Sequence, residues 1–135
     1  MKKGTLKTAR FTDNGDGTVT DPTTGLMWAK ATLTCGEVTH THAIKACSAI
    51  RIGGHKDWRM PTRRELLTLV DDTRASPAID TSFFTNTEND WYWTSTLCAW
   101  GASCAWIVNF NYGYVRHLHR NGRAFVRAVR SVKTP

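Results

Sequence analysis

The sequence predicts an α+β fold built as a single domain over residues 1–135, with two helices set between two groups of mostly antiparallel strands. Three observations carry that prediction. Turn-rich segments of β-formers occupy both ends of the chain, the two stretches with helical spacing lie next to each other in the middle, and 135 residues leave too little chain for two independent cores. Hydrophobic residues make up 41% of the chain and charged residues 21%, with 6 Trp among them, which is ample material for a packed interior and excludes a disordered chain.

Taken in order, Phe11-Thr12-Asp13 runs into Asn14-Gly15-Asp16-Gly17, residue types that tolerate positive φ, and Thr18-Val19-Thr20 returns as β-formers; together they predict a hairpin. Asp21-Pro22-Thr23-Thr24-Gly25 makes the next turn, and Leu26-Met27-Trp28-Ala29 supplies a buried strand. The acidic first turn invites a calcium reading, yet Gly15 and Gly17 stand where an EF-hand loop needs oxygen ligands, and backbone geometry alone explains the residues. A helix is expected from about His40 to Ile50, with Ala43, Ile44, Cys47 and Ile50 on its apolar side and Gly53-Gly54 as its stop. Thr62 and Glu65 form a capping box just after Pro61 and open a second helix, whose inward stripe is Leu66, Leu67, Leu69 and Val70. Trp58 anchors the connector between them.

After Val70 the helical signal stops, and an irregular stretch around Pro77 reaches Asp90. Trp91 to Ser95 is a short aromatic strand. Ala105 to Asn111 alternates, with Trp106, Val108 and Phe110 on one face and Ile107, Asn109 and Asn111 on the other, the period of a half-buried antiparallel strand with the first set inward. Gly113 turns the chain, Tyr114 to Leu118 returns, and Ala124 to Arg130 forms the last strand.

The formal charge of +7 is lopsided. Arg116, Arg120, Arg123, Arg127, Arg130 and Lys133 follow Gly113 with no acid among them, while the rest of the chain is nearly neutral. Such a stretch attracts acidic partners, or pairs internally with carboxylates of the earlier half; no nucleic-acid module accompanies it, so nucleic acid is not an expected partner. Cys35, Cys47, Cys98 and Cys104 include no CxxC pair, which argues against structural zinc. Local pairing of Cys35 with Cys47 and of Cys98 with Cys104 is one of three connectivities. The N-terminal Met1 to Lys7 is basic without the apolar run of a signal peptide, so a soluble, unprocessed chain with four thiols is expected, and the compartment stays open between cytoplasmic, phage-borne and exported. No stretch approaches the ~20 apolar residues of a membrane helix, so no membrane insertion is expected.

Several blocks in order carry a family resemblance: Phe11 to Asp21 with Thr24-Gly25-Leu26-Met27-Trp28; Asp57-Trp58-Arg59-Met60-Pro61-Thr62 with Glu65-Leu66; Tyr92 to Thr96; Ala105-Trp106 with Val108, Phe110 and Gly113; and Val126-Arg127-Ala128-Val129-Arg130. The chain resembles the Lcl C-terminal domain family, the module that ends bacterial collagen-like adhesins. That resemblance implies a C-type-lectin-like fold with its ligand face on the C-terminal strands. The C-terminal third is also similar to the variable regions of proteins diversified by retroelements, in which an error-prone reverse transcriptase rewrites template adenines. Randomised Asn codons yield many residue types but never Lys, Glu, Gln, Met or Trp. From Leu97 to Phe125 no Lys, Glu, Gln or Met occurs, a gap that chance gives roughly one time in twenty at this composition.

This second resemblance implies a variable region over about 97–125. Trp106, Val108 and Phe110 hold its floor, while Ile107, Asn109, Asn111, Tyr112, Tyr114, Arg116, His117, Leu118, His119, Asn121, Gly122 and Arg123 project into solvent and change. Exchange is tolerated only there, since core substitutions cost ~2–5 kcal/mol and surface ones about 0.5. Tyr, His, Arg and Asn in such a face resemble a paratope. The expected ligand is a protein or glycan on a cell or phage surface, the oligomeric state being open. The alternative is an undiversified adhesin that takes acidic polysaccharide through Arg116, Arg120 and Arg123.

Other chemistry finds little footing. His117 with His119, and His40 with His42, lack a neighbouring Asp, Glu or Cys at ligand spacing, so no metal or other cofactor is expected. The related fold of formylglycine-generating enzymes relies on paired reactive cysteines; Cys98 and Cys104 lie in the region expected to vary, and no nucleophile, base and orienting group assemble, so the chain is read as a non-enzyme. Asp57, Trp58 and Arg59 are read as scaffold that braces the last strand through Arg127 or Arg130.

Overall fold

Two antiparallel sheets organise the computed structural model, which describes residues 10–132. The basic Met1 to Lys7 and Lys133 lie outside the described residues. One sheet runs in the order β1 (Thr12–Asp13), β2 (Thr18–Asp21), β3 (Leu26–Ala29) and β7 (Val129–Ser131); the other is β4 (Trp91–Cys98), β5 (Gly101–Asn109) and β6 (Val115–His119). Between β3 and β4 lie helices α1 (His40–Ala49) and α2 (Arg63–Leu67). The α+β class follows from this order.

Local chemistry accounts for most boundaries. The first hairpin is closed by carboxylates: Asp13 Oδ1 accepts from Gly15 N, and Asp16 Oδ1 accepts from Thr18 N. Asp13 also pairs with Lys30 Nζ at 2.6 Å, so the acidic turn spends its oxygens on its own backbone and one cation. Thr39 caps α1, and the capping box of Thr62 and Glu65 is complete, with Glu65 Oε1 in turn held by Arg59 at 2.8 Å. Helix α2 is shorter than its apolar stripe. The backbone tightens at its end, where Leu69 N reaches Leu66 O and Val70 N reaches Leu67 O, and the stripe continues inward without an α-helix to carry it.

Alternation along β5 places apolar residues on both of its faces. Tyr92 pairs with Val108 and, with Phe110, packs against Leu66 and Leu69 of the α2 region together with Trp28 and Phe84. Trp93 pairs with Ile107 and, with Ala105, packs against Ala43 and Cys47 of α1, Trp58 and Val126. The central strand is therefore sandwiched. Ile107 is 2% exposed, which corrects its expected place in solvent, and Trp106 is only half-buried, which corrects its expected place in the floor. A two-residue period separates two faces; it does not say which one is wet, and here the odd face of β5 is covered by α1.

The expected last strand differs as well. Only Val129–Ser131 pairs as a strand, while Ala124 to Ala128 forms a buried extended stitch between the sheets. Its backbone bonds are distributed: Ala124 with Val38, Phe125 with Trp91 and Trp93, Val126 O from Leu33 N, and Ala128 O from Ala29 N. Arg127 is wholly buried within it. Nη1 donates to Ala29 O at 3.0 Å and Lys30 O at 2.6 Å, and Nη2 donates to Thr32 Oγ1, Thr85 O and Thr87 Oγ1 at 3.3, 3.4 and 2.7 Å. Among the described residues no carboxylate neutralises this cation, and burial pulls its pKa down to about 10. Arg130 supplies the expected brace, donating to both oxygens of Asp57, whose carboxyl this hydrogen bond holds below its ordinary value.

Cys98 and Cys104 are joined by a disulfide across 5.5 Å between Cα atoms, which corrects the expectation of four thiols; Cys35 and Cys47 are free. The ladder supplies the reason. Cys98 and Gly101 pair at the tip of the β4–β5 hairpin, so two cysteines six residues apart are folded face to face by the turn.

Candidate ligand-binding face

Strand β6 pairs only with β5 and forms the edge of its sheet, so the side chains of β6 alternate between two faces. Arg116 and Leu118 lie opposite Ile107 and Ala105 on a first face; Val115, His117 and His119 lie opposite Val108, Trp106 and Cys104 on a second. Asn109 N donates to Tyr114 O at 2.8 Å, which extends the ladder by one pair and puts Tyr114 on the side of Arg116. The expected site residues thus form two patches that meet around one edge.

On the first face, the Arg116 guanidinium lies 5.8 Å from the Trp91 ring, and Tyr114 packs against Tyr112 with ring centroids 5.9 Å apart. Tyr112 and Tyr114 are 58% and 62% exposed. Asn109 is half-buried and structural: its Oδ1 accepts from Tyr112 N and Asn111 N and so shapes the turn. Asn111 is half-buried, its Oδ1 accepting from Ser76 Oγ at 2.6 Å. Gly113 has φ +89°, and a Cβ there would stand 2.6 Å from Val70 Cγ1, so this turn position takes no other residue without displacing Val70. Leu118 is half-buried against the core, and a Cβ on Gly122 would meet its side chain at 2.7 Å. Asn121 and Arg123 are exposed.

On the second face, His117 lies edge-on to Trp100 and Trp106, at 5.2 and 6.0 Å, and Arg63 lies 4.6 Å over the Trp106 ring. His119 is exposed, and its Nδ1 accepts from Asn121 N at 3.1 Å. Neither Trp100 nor Arg63 was an expected site residue. Trp100 sits in a turn whose only sequence signal is its flanking cysteines, and Arg63 comes from a helix 43 positions before the Trp106 ring it covers.

Arg120 has a different task. Its Nε donates to Nδ1 of His40 at 3.1 Å, while His40 Nε2 donates to Thr94 O at 2.9 Å. His40 is 2% exposed and edge-on to Trp93. The spacing of His40 and His42 gave no hint of this brace between α1 and the loop after β6. Burial, the largest cause, and the Arg120 cation push the His40 pKa below 6.5, against the opposing pull of the bond to Thr94. The unfolded chain therefore binds this proton more readily than the folded one. Stability from His40 is complete above its unfolded pKa near 6.5 and is lost as pH falls below it, until the folded-state value is reached. Melting curves from about pH 7 to 5 are expected to show a falling midpoint in the parent chain and a flatter one in His40→Gln. Equal slopes would contradict the brace.

Among the described residues no group of three or more His, Cys, Asp or Glu stands together to hold a metal ion, and no helix is long and apolar enough to cross a membrane. Fold and surface together define a small α+β domain in which Tyr112, Tyr114, Arg116, His117 and His119 are exposed along one sheet edge. The sequence matches the model of the Lcl C-terminal domain over residues 17–130, and the chain belongs to that family. A search of the curated proteins finds no match to it.

Proposed function

We propose that this domain is a non-enzymatic ligand-binding module for surface recognition, with a C-type-lectin-like fold and an outer coat on its closing strands diversified by a retroelement. The ligand in this reading is a protein or glycan on a cell or phage surface, bound without metal, cofactor or nucleic acid. The observation that carries it is the contrast along one hairpin: Tyr112, Tyr114, Arg116, His117, His119, Asn121 and Arg123 are exposed, while Ala105, Ile107, Val108 and Phe110 beside them are buried. Substitution at the first set leaves the core untouched, which is the condition a diversifying system needs. Ile107 falls outside the coat, and Asn109, Asn111 and Leu118 are constrained by the turn and core contacts they make.

The genomic neighbourhood tests the diversification directly. The expected finding is a reverse-transcriptase gene beside a near-copy of the last ~40 codons that differs from them only at template adenines, with those differences falling on the exposed positions. A neighbourhood without such a copy sinks diversification and favours the second reading, an adhesin for acidic polysaccharide. Exposed Arg116 and Arg123 favour that reading; Arg120, whose Nε is bonded to His40, does not. Salt-sensitive heparin binding lost in Arg116→Ala with Arg123→Ala is its signature.

A further inference from the structure

Trp100 occupies the two-residue turn between β4 and β5 and is 65% exposed, more than any other large apolar side chain described. An indole so placed usually swings freely. This one is fixed: its ring meets Trp106 at 84° and His117 at 86°, and the Cys98–Cys104 disulfide crosses the base of its turn. Beside it, the Arg63 guanidinium lies on Trp106, and among the described residues no carbonyl, hydroxyl or carboxylate accepts from it.

We infer that Trp100, Trp106, His117 and Arg63 form the hot spot of a protein-binding surface, whose partner offers an apolar pocket rimmed by carboxylates. This rests on the ligand-binding reading above and names the partner class for one of the two patches. Trp and Arg are the side chains that dominate interface energetics, and a ring already fixed loses little rotamer freedom on binding. Asp, Glu and Lys, the types depleted from interface cores, are absent from Trp91 to Arg130. A guanidinium over an indole that donates to no acceptor among the described residues keeps its fork of N–H groups for a carboxylate, which can meet it bidentately. Exposed Ala99 and Ala102 flank Trp100 and leave an apolar surround on that side of the indole.

A random dodecapeptide library displayed on phage and panned against the folded chain tests this. Enriched peptides are expected to set Asp or Glu around Leu, Phe or Trp. Their affinity is expected to fall by about tenfold or more in Trp100→Ala and to weaken, with a shallower salt dependence, in Arg63→Gln. Lys45→Ala, on the exposed side of α1, should leave it unchanged, and circular dichroism confirms that each variant is folded. No enrichment, peptides that bind Trp100→Ala as well as the parent, or cellohexaose or heparin bound through Trp100 in place of peptide would each overturn the inference. Peptides that depend on Tyr114 and Arg116 instead overturn the hot spot but leave the ligand-binding reading standing.

Discussion

Arg127→Met is expected to lower stability by about 3 kcal/mol or more and the melting midpoint by about 10 °C, read by thermal or urea unfolding. The size follows from what the guanidinium holds. It donates to three main-chain carbonyls and two threonine hydroxyls from two separate segments, residues 29–32 and 85–87. Thr32 in turn bonds Tyr92, so the loss spreads into β4. A buried acceptor left unpaired costs about 1–3 kcal/mol, and methionine, though similar in volume, pairs with none of them. Release from the desolvation of an unneutralised cation offsets part of this, which is why the net stays below the sum. Arg127→Lys is expected to fall between, because one ammonium reaches at most three acceptors. A methionine variant as stable as the parent would show that the stitch between the sheets holds without its cation.

Ile107→Ala is expected to cost about 3 kcal/mol, and Ile107→Asn more, since it adds an unpaired amide to the cavity. Ile107 packs with Trp93, Ala105 and Val126 beneath α1. By contrast, Tyr112→Ala, Asn121→Ala and Arg123→Ala should each stay within about 0.5 kcal/mol of the parent. Urea unfolding of Ile107→Ala and these three single variants separates a floor residue from coat residues of the strand pair and loops that follow it. An Ile107 variant as tolerant as Asn121→Ala would place the boundary between floor and coat elsewhere.

Much of the scaffold is legible because its signals are local. The Asn14 to Gly17 turn and the capping box of Thr62 and Glu65 each depend on residues within a few positions, and each stands where the sequence puts it. Failures have a common cause. Whether Ile107 or Trp106 faces water depends on α1 lying over one side of β5, a contact some sixty positions away. The Ala124 to Ala128 stretch has the composition of a strand, but its bonding partners are spread over β3, the loop after it and β4, so no continuous ladder forms. The Cys98–Cys104 pair is brought together by the β4–β5 hairpin, which cysteine spacing alone does not show. His40 as a brace and Arg63 as a neighbour of Trp106 arise only when distant elements are brought together, and nothing in their spacing announces either.

The central claim is that the exposed residues of β6 and its turns can be exchanged without loss of the fold while the floor cannot, and one library measures it. Tyr112, Tyr114, Arg116, His117, His119, Asn121 and Arg123 are randomised together with adenine-derived codons, and the displayed variants are sorted for resistance to protease at rising temperature. The account predicts that most survive near the parent's limit, while a matched library at Ala105, Ile107, Val108 and Phe110 collapses. Equal loss in both libraries would contradict it.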